Sequence, residues 1–435
     1  MELELHKHEI LCTGTSAKGT LEVLPFEDDR KNQRVACGDL SGVVQCFAVK
    51  RGEISTAFKT LPAPSLKVTS LSLGRGRQQR DRIFYAAGTT IVGISKKGSQ
   101  FFKFNTQLTE AISQVNVFNS DLWTAGEYVY NHFVDGIDKD CFLAPDRINA
   151  AEIVPIMDAN KVHPILACQD RCIRILDNGK AMLQASTPAA PVSLHYVIDS
   201  HDPHNRFPNA KEMLYGTDVG TLNQLMVNHD KTQHGFLLPN SKKLGAIRGI
   251  YSGSDFTKTG VNDIAVARDD GALEIYDLDE TGNLQQVFSA SLNESINSLD
   301  GGIITSSVPE LIMQTFSGKV ITYSPPGGGF LLPETDRRMK GVTTEEGAKK
   351  VANDVQIARL QQEVEELRQN LGNEKTSRSP VTPGCGSSTL ATYRCQESTS
   401  RLSIKFKLRE GVSGTLQAFV IPNISPKVCM GVSHR

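Results

Sequence analysis

The amino-acid sequence predicts a mainly β fold, in which a seven-bladed β-propeller is followed by a short coiled-coil helix and a partial β-sandwich. Three observations lead to this prediction. An apolar hairpin pattern recurs seven times between residues 35 and 323. A Glu- and Leu-rich segment with heptad spacing lies within residues 345–372, and strand-like alternation returns after residue 389.

Each of the seven repeats consists of an apolar strand, a polar or glycine turn and a second apolar strand. The strands are rich in β-branched and aromatic residues, which favour a pleated, buried surface, and the turns contain the Asp, Ser and Gly of tight hairpins. They recur roughly every 40 to 50 residues, the period of a four-stranded propeller blade. A propeller over residues 1–330 is therefore predicted, with hairpins at 35–47, 83–94, 122–133, 165–176, 213–225, 264–276 and 312–323.

A helix is predicted at residues 345–372, after a Pro- and Gly-rich break at 324–329 and a linker at 331–344. Its apolar residues fall at spacings of three and four, the a and d positions of a coiled coil. The seam covers only about two heptads, so the helix needs a partner or a docking surface. The predicted partner-binding residues are Ile357, Leu360, Val364, Leu367 and Leu371.

Three alternatives remain for the occupant of this seam. Another protein is the favoured partner, and the chain's own propeller is the second candidate. A parallel homodimer is the third, because Glu363 at a g position and Arg368 at the next e position are able to pair.

Strands return after a linker at residues 373–388. Strands are predicted at 390–395, 402–408 and 415–421. Apolar and polar residues alternate cleanly at 402–408 and less strictly at 415–421, and a glycine-containing turn at 410–414 joins these two strands. Three strands bury only one face, so residues 389–430 are predicted to form an incomplete β-sandwich.

Composition argues against several classes of protein. The 435-residue chain carries 47 Lys and Arg against 48 Asp and Glu, a balance that gives no general attraction to nucleic acid. No apolar signal core is expected at the N-terminus, and no run of about 18 apolar residues predicts a membrane span. The nine cysteines form no CxxC pair and are predicted to be free thiols in a reducing compartment.

The order of the segments and the amino-acid sequences of several of them resemble the family of the seventh Bardet–Biedl syndrome protein, a subunit of the BBSome. The similarity covers most of residues 1–428. Its propeller part rests on Gly38–Phe47, Ala57–Pro62, Val129–Phe133 and Leu166–Arg171, and its ear-domain part on Leu390–Gln396, Gly414–Val420 and Ile424–Lys427.

This resemblance implies a seven-bladed propeller, a coiled coil, an ear-like β-sandwich, a platform and a helical C-terminal region. It implies a scaffold in an octameric coat that carries membrane proteins to and from cilia and acts in cilium assembly. The coiled coil resembles the segment that pairs with the second Bardet–Biedl protein, so other BBSome subunits are the implied partners, and ciliary membrane cargo is reached through the complex. The implied location is the cilium, the basal body and centriolar region, and the cytoplasm, peripheral to the membrane.

Two departures from the family are expected. The linker at residues 373–388 looks shorter, and the rest of the sandwich, the platform and the helical region do not follow after about residue 428, so a C-terminally truncated or alternatively spliced form is expected. Contacts that the family makes through those regions are therefore not expected of this form. Residues 430–435 do not look like the family's continuation.

Candidate metal sites are weak. Residues 255–263 have the Asp and Gly skeleton of a calcium loop, but Thr257 and Thr259 replace the usual acids and Lys258 adds a positive charge, so a metal-free loop is predicted. His195, His201 and His204 fall in or near a polar insertion, which does not favour zinc. No metal and no cofactor are predicted.

The densest basic patch of the sequence is a candidate contact for lipid phosphates. It lacks interleaved aromatic residues, which argues against RNA, and a solvated loop between blades is the alternative interpretation. The arginines of this patch are Arg75, Arg77, Arg80 and Arg82.

The sequence therefore favours a non-enzymatic scaffold. No nucleophile elbow, P-loop or zinc-protease motif occurs. Two alternatives stay open: a short regulatory isoform that binds the coil partner without completing the coat, and a propeller enzyme with a site at the mouth of its channel.

Overall fold

The structure is a computed structural model with two compact units. It describes residues 3–27, 31–50, 52–63, 67–76, 82–158, 161–198, 210–278, 283–326, 416–420 and 430–434. The first unit comprises Met1–Pro333 with Pro422–Val428, and the second comprises Glu334–Ile421 with Cys429–Arg435. In the described residues, no helix is long and apolar enough to cross a membrane.

The described part of the first unit is a seven-bladed β-propeller of 28 strands. Blade 1 contains β2 (Leu21–Val23), β3 (Val35–Gly38), β4 (Val44–Lys50) and β5 (Glu53–Lys59). Blade 2 contains β6 (Val68–Arg75), β7 (Arg82–Ala87), β8 (Thr90–Ser95) and β9 (Gln100–Asn105). Blade 3 contains β10 (Gln114–Phe118), β11 (Asp121–Ala125), β12 (Val129–Val134) and β13 (Ile137–Leu143).

The remaining four blades repeat this meander. Blade 4 contains β14 (Ile148–Asp158), β15 (Lys161–Cys168), β16 (Cys172–Asp177) and β17 (Lys180–Ser186), and blade 5 contains β18 (Pro191–Val197), β19 (Lys211–Thr217), β20 (Leu222–Val227) and β21 (Thr232–Leu238). Blade 6 contains β22 (Ile247–Ser254), β23 (Asp263–Arg268), β24 (Ala272–Leu278) and β25 (Leu284–Ser291). Blade 7 contains β26 (Ile296–Gly302), β27 (Glu310–Thr315), β28 (Lys319–Ser324) and, from the other end of the chain, β1 (His6–Cys12).

Strand β1 closes the ring, because it forms the outer strand of the last blade. It pairs antiparallel with β28, from His6 opposite Ser324 to Cys12 opposite Lys319, with a bulge at Ile10. The first strand of every blade lies against the central channel, and the inner strands β6 and β10 also pair in parallel at Val117 and Gly74.

The seven predicted hairpins are confirmed, and each one supplies the second and third strands of a blade. These middle strands are buried on both faces; β20 and β27, for example, contain only buried residues. Glycine is required in one such turn, since Gly271 has a φ of 88° and an added Cβ would lie 2.4 Å from the carbonyl oxygen of Glu294.

The core of the propeller lies between the blades. Seven apolar clusters each join two neighbouring blades, as when Val35 of blade 1 packs with Ile312 of blade 7. A buried ion pair joins Arg268 Nε to Glu274 Oε2 at 2.8 Å, and Arg268 also donates to the carbonyl oxygens of Gly220 and Gly245. The blades are therefore held by their neighbours, as expected for sheets that cannot bury both faces alone.

The described part of the second unit is a two-stranded antiparallel sheet of β29 (Leu416–Val420) and β30 (Met430–His434), with Leu416 opposite His434 and Val420 opposite Met430. Strand β29 confirms the strand predicted at residues 415–421, whereas β30 was not predicted. The predicted helix at 345–372, the linkers, and the strands at 390–395 and 402–408 lie outside the described residues.

Candidate functional site

The predicted partner-binding seam lies outside the described residues. Ile357, Leu360, Val364, Leu367 and Leu371 therefore stay a prediction from the sequence.

The structure describes two of the four arginines in the predicted basic patch. Arg75 ends inner strand β6, where its Nη1 lies 2.6 Å from Glu152 Oε1 and 3.3 Å from the carbonyl oxygen of Ile153 in blade 4. Arg82 begins β7, and its guanidinium carbon lies 4.6 Å from the ring centroid of Phe101. Arg77 and Arg80 lie outside the described residues, so the lipid contact stays a prediction.

A central channel runs along the axis of the propeller. Its cavity of about 620 Å³ is lined by the inner strands of all seven blades. All seven blades contribute polar residues to it, because side chains that face channel water do not need to be apolar. Its charged lining residues are Lys18, Glu22, Arg75, Glu152, Arg248 and Asp300.

Two carboxyl groups of the channel have displaced pKa values. Burial, followed by the charge of Asp300, raises the pKa of Glu22 well above its usual value of 4.5. Burial raises the pKa of Asp300 from 3.8 to about 6, although Asp300 accepts hydrogen bonds from the backbone N–H groups of Val23 and Gly301. Displaced carboxyl pKa values occur at catalytic sites and in structural charge pairs alike, so they do not by themselves indicate an enzyme.

A lysine approaches the same channel from the loop between β1 and β2. Burial, followed by the charge of Arg248, lowers the pKa of Lys18 from 10.5 to about 7. Its Nζ donates to the carbonyl oxygens of Asn149, at 3.4 Å, and Val192.

A smaller cavity of about 120 Å³ lies between blades 3 and 4. His132 stacks on Trp123 with a centroid distance of 4.7 Å, and its two ring nitrogens contact carboxylates of Asp121 at 2.9 Å and Asp140 at 3.1 Å. Both nitrogens are thus occupied by partners on neighbouring strands. This arrangement ties β12 to its neighbours β11 and β13 within blade 3.

In the loop with the calcium-like spacing, the carboxylates accept hydrogen bonds from the backbone of the loop itself. Asp255 accepts from the N–H groups of Thr259 and Gly260, and Asp263 accepts from those of Phe256 and Thr257. Among the described residues, no group of three His, Cys, Asp or Glu side chains is placed to hold a metal ion. His195 Nε2 contacts Ser252 Oγ at 3.0 Å, and the other two histidines of the weak zinc candidate lie outside the described residues.

The outer strands provide a second surface. In the described sheets, β5, β9, β13, β17, β21 and β25 each lie at the edge of a blade, and an edge strand presents unpaired backbone groups to other chains. Strand β13 also exposes Ile137 and Leu143, which are 73% and 72% exposed. Sequence periodicity did not identify this edge, because its apolar residues are interrupted by Asp138, Lys139 and Asp140.

Comparison with known proteins extends these observations. The family model for the BBS7 beta-propeller matches residues 21–324, and the model for the BBS7 GAE domain matches residues 361–434. The second match continues to residue 434, so the expectation that residues 430–435 depart from the family is wrong.

Two curated relatives match almost the whole chain. The mouse protein named BBSome complex member BBS7 is 32% identical over an alignment of 489 positions. The alignment covers 99% of this chain and 67% of the mouse protein. The Caenorhabditis elegans protein named BBSome complex member bbs-7 is 23% identical, with 97% and 66% covered. The chain thus spans about two thirds of the length of these relatives.

Solved structures share the propeller fold. BBS1N, crystallised in complex with ARL6DN, has a TM-score of 0.55 and 13% identity, covering 75% of this chain and 98% of that chain. The WD40 propeller domain of Doa1 has a TM-score of 0.52 and 13% identity, covering 73% and 97%. At such identity these similarities concern the fold alone.

Proposed function

The chain belongs to the BBS7 family, and we propose that it acts as a non-catalytic scaffold subunit of the BBSome. The observation that carries this proposal is the similarity to a BBSome complex member along 99% of the chain. The closed propeller supports it, because a ring of seven packed blades presents a broad rigid surface for other proteins. We further propose a role in carrying membrane proteins to and from the cilium and in cilium assembly, at the cilium and basal body.

The proposed scaffold has two kinds of contact surface. One is the predicted coiled-coil seam at residues 357–371, which would bind a helix of another BBSome subunit, the second Bardet–Biedl protein being the first candidate. The other is the propeller rim, where edge strands such as β13 expose apolar side chains. A non-catalytic role is consistent with the pairing of Arg75 and His132, which are both engaged by carboxylates.

The seam can be tested by placing charges in it. The double substitution Leu360→Asp and Leu367→Asp removes two d-position side chains and buries two carboxylates, which disfavours helix pairing by several kcal/mol, on the order of 2–3 per site. We expect the tagged double variant to lose its BBSome partners in affinity purification from ciliated cells, while the propeller keeps its circular dichroism spectrum and melting temperature.

A matched control introduces the same charges away from the seam. Gln362→Asp and Gln369→Asp fall at f positions of the predicted heptads, so this variant should keep its partners. Retention of partners by the seam variant would contradict the assignment of the coil. Failure of the wild-type chain itself to recover any BBSome subunit would contradict the proposed function instead.

A further inference from the structure

Two free thiols face each other at the end of the hairpin of β15 and β16 in blade 4. Cys168 is the last residue of β15, Cys172 is the first residue of β16, and the two lie opposite each other in the antiparallel register. The loop between them has three residues and ends with Arg171 at a φ of 60°, a left-handed conformation that is typical of three-residue hairpin loops. The turn therefore fixes this pair of cysteines in register.

The register places both side chains on the same face of the sheet, close enough for a disulfide. Residues opposite each other in an antiparallel pair have Cα atoms about 4.5 or 5.5 Å apart, and both separations fall within the range of about 4.4–6.8 Å across disulfides. Their Cβ atoms are about 4.5–5.5 Å apart, slightly more than the roughly 3.5–4.5 Å of a relaxed disulfide. A bond between the two sulfurs therefore needs only a small approach and is strained, and strained disulfides are readily reduced again.

A second pair of cysteines shows that neighbouring strands alone do not produce this arrangement. Cys37 on β3 and Cys46 on β4 are one step apart in the register. Because successive side chains of a strand point to opposite faces, these two thiols lie on opposite faces of blade 1 and pack in different apolar clusters. Among the cysteines that the structure describes, Cys168 and Cys172 are the one pair placed directly opposite each other.

The two thiols of blade 4 differ in their access to solvent. Cys168 is fully buried, and burial raises its pKa to about 11, opposed by the charge of Arg174 and a hydrogen bond from it. Cys172 is half-buried, and its Sγ accepts a hydrogen bond of 3.1 Å from Gln184 Nε2. A reagent in solution therefore reaches Cys172 first. The guanidinium beside Cys168 favours the thiolate of that residue in a second step.

We propose that Cys168 and Cys172 form a redox-active dithiol, which a low-molecular-weight disulfide such as oxidised glutathione converts reversibly to an intramolecular disulfide. The Cys172 thiolate attacks one sulfur of oxidised glutathione, which forms a mixed disulfide and releases one reduced glutathione. Cys168 then loses its proton and attacks the Cys172 sulfur, so that the second reduced glutathione leaves. Two protein thiols are oxidised, one glutathione disulfide is reduced, and the two thiol protons end on the released glutathione. This inference does not depend on the proposed scaffold role.

The test maps disulfides in the native full chain after equilibration with glutathione buffers. Trypsin cleaves after Arg171, between the two cysteines, so a non-reduced digest should contain residues 162–171 and 172–174 as a linked pair that dithiothreitol separates. The linked fraction, measured by mass spectrometry, should rise with the ratio of oxidised to reduced glutathione. Formation of the linked pair only in urea, or its absence at every ratio, would overturn the proposal.

Two substitutions separate the roles of the thiols. Cys168→Ser should leave a glutathione adduct on Cys172, because the second thiol is missing, whereas Cys172→Ser should prevent both the link and an adduct on the buried Cys168. Circular dichroism and the melting temperature establish that each variant is folded, and Cys172→Ser remains informative if loss of the buried thiol prevents folding. A glutathione adduct on Cys168 in the folded Cys172→Ser variant would contradict the order of attack.

Cys141→Ser is the matched control, because it removes an exposed cysteine from the outer strand β13. Its linked fraction should equal that of the wild type at every glutathione ratio. A wild-type chain that accumulates the adduct on Cys172 without the linked pair would show that the two sulfurs do not meet in the folded blade, and the proposal would fail.

Discussion

His163 is a titratable side chain fixed in the interior of blade 4. It lies on β15 opposite Val154, is fully buried, and neither ring nitrogen has a hydrogen-bond partner within the described residues. Burial, followed by the charge of Lys161, lowers its pKa from 6.5. The folded propeller therefore holds His163 as a neutral imidazole, at the cost of leaving its polar atoms unsatisfied.

Replacing His163 with Met should stabilise the propeller, most of all in mild acid. The unfolded chain binds a proton near pH 6.5 while the folded chain resists it, so this histidine lowers stability as the pH falls through 6.5. Between pH 6.5 and the lowered pKa of the folded state, we expect the gain in unfolding free energy of His163→Met to grow by up to about 1.4 kcal/mol for each pH unit. Urea unfolding at several pH values measures it, and a gain independent of pH would refute the argument.

Single residues also show why the candidate sites were only partly predictable. Local arginine density drew attention to Arg75, but its partner Glu152 is 77 residues away, and no local pattern reports such a contact. Lys18 belongs to no motif, because its contacts with Asn149 and Val192 exist only through the closed ring. The calcium-like loop at 255–263 could be interpreted from its residue types, since they are adjacent in the chain.

At the scale of elements, a strand could be predicted from the sequence where its side chains are buried. The middle strands of each blade are buried on both faces, so they are rich in apolar residues and were predicted in all seven blades. The outer strands face solvent, as in β5, where every side chain but one is exposed, and the inner strands carry polar channel residues, as in β26. Both kinds lack strong apolar periodicity, and β1 is in addition separated from its blade by most of the chain.

Removal of β1 should show how much the closure contributes. Deleting residues 1–12 removes the ladder to β28 and the buried side chain of Ile10, which is 7% exposed. One buried Ile contributes about 1.5–3 kcal/mol and each ladder hydrogen bond about 0.5–1.5. We expect the free energy of unfolding, measured with urea, to fall by more than about 3 kcal/mol. The amides of β28 should also exchange their hydrogens faster.

The control for this deletion keeps the strand and changes only its surface. Lys7→Ala with Glu9→Ala removes an exposed ion pair of 3.4 Å, which should cost less than about 1 kcal/mol. Unchanged stability of the deletion variant would mean that β28 tolerates an open edge and that the ring is held by the interblade clusters alone.

For the molecule as a whole, closure has two consequences. Seven interblade clusters form one continuous ring of apolar contacts, so each blade depends on both neighbours. The same closure gathers polar and charged side chains from all seven inner strands around one axis. Closure of the ring is thereby accompanied by an electrostatic cost along the channel.

Glu22→Gln should reveal this cost as a pH dependence opposite to that of His163. The raised pKa values of Glu22 and Asp300 mean that the folded chain binds protons more tightly than the unfolded chain. Their favourable contribution is present below the unfolded values near 4 and is lost as the pH rises through the folded ones, about 6 for Asp300. The melting temperature of the Gln variant should therefore rise relative to that of the wild type as the pH increases from about 5 to 8.

The control is Glu53→Gln, which removes an exposed carboxylate from β5 and should show no such trend. If the two variants behave alike, water in the channel screens the carboxylates as effectively as bulk solvent does, and closure of the ring carries no electrostatic cost.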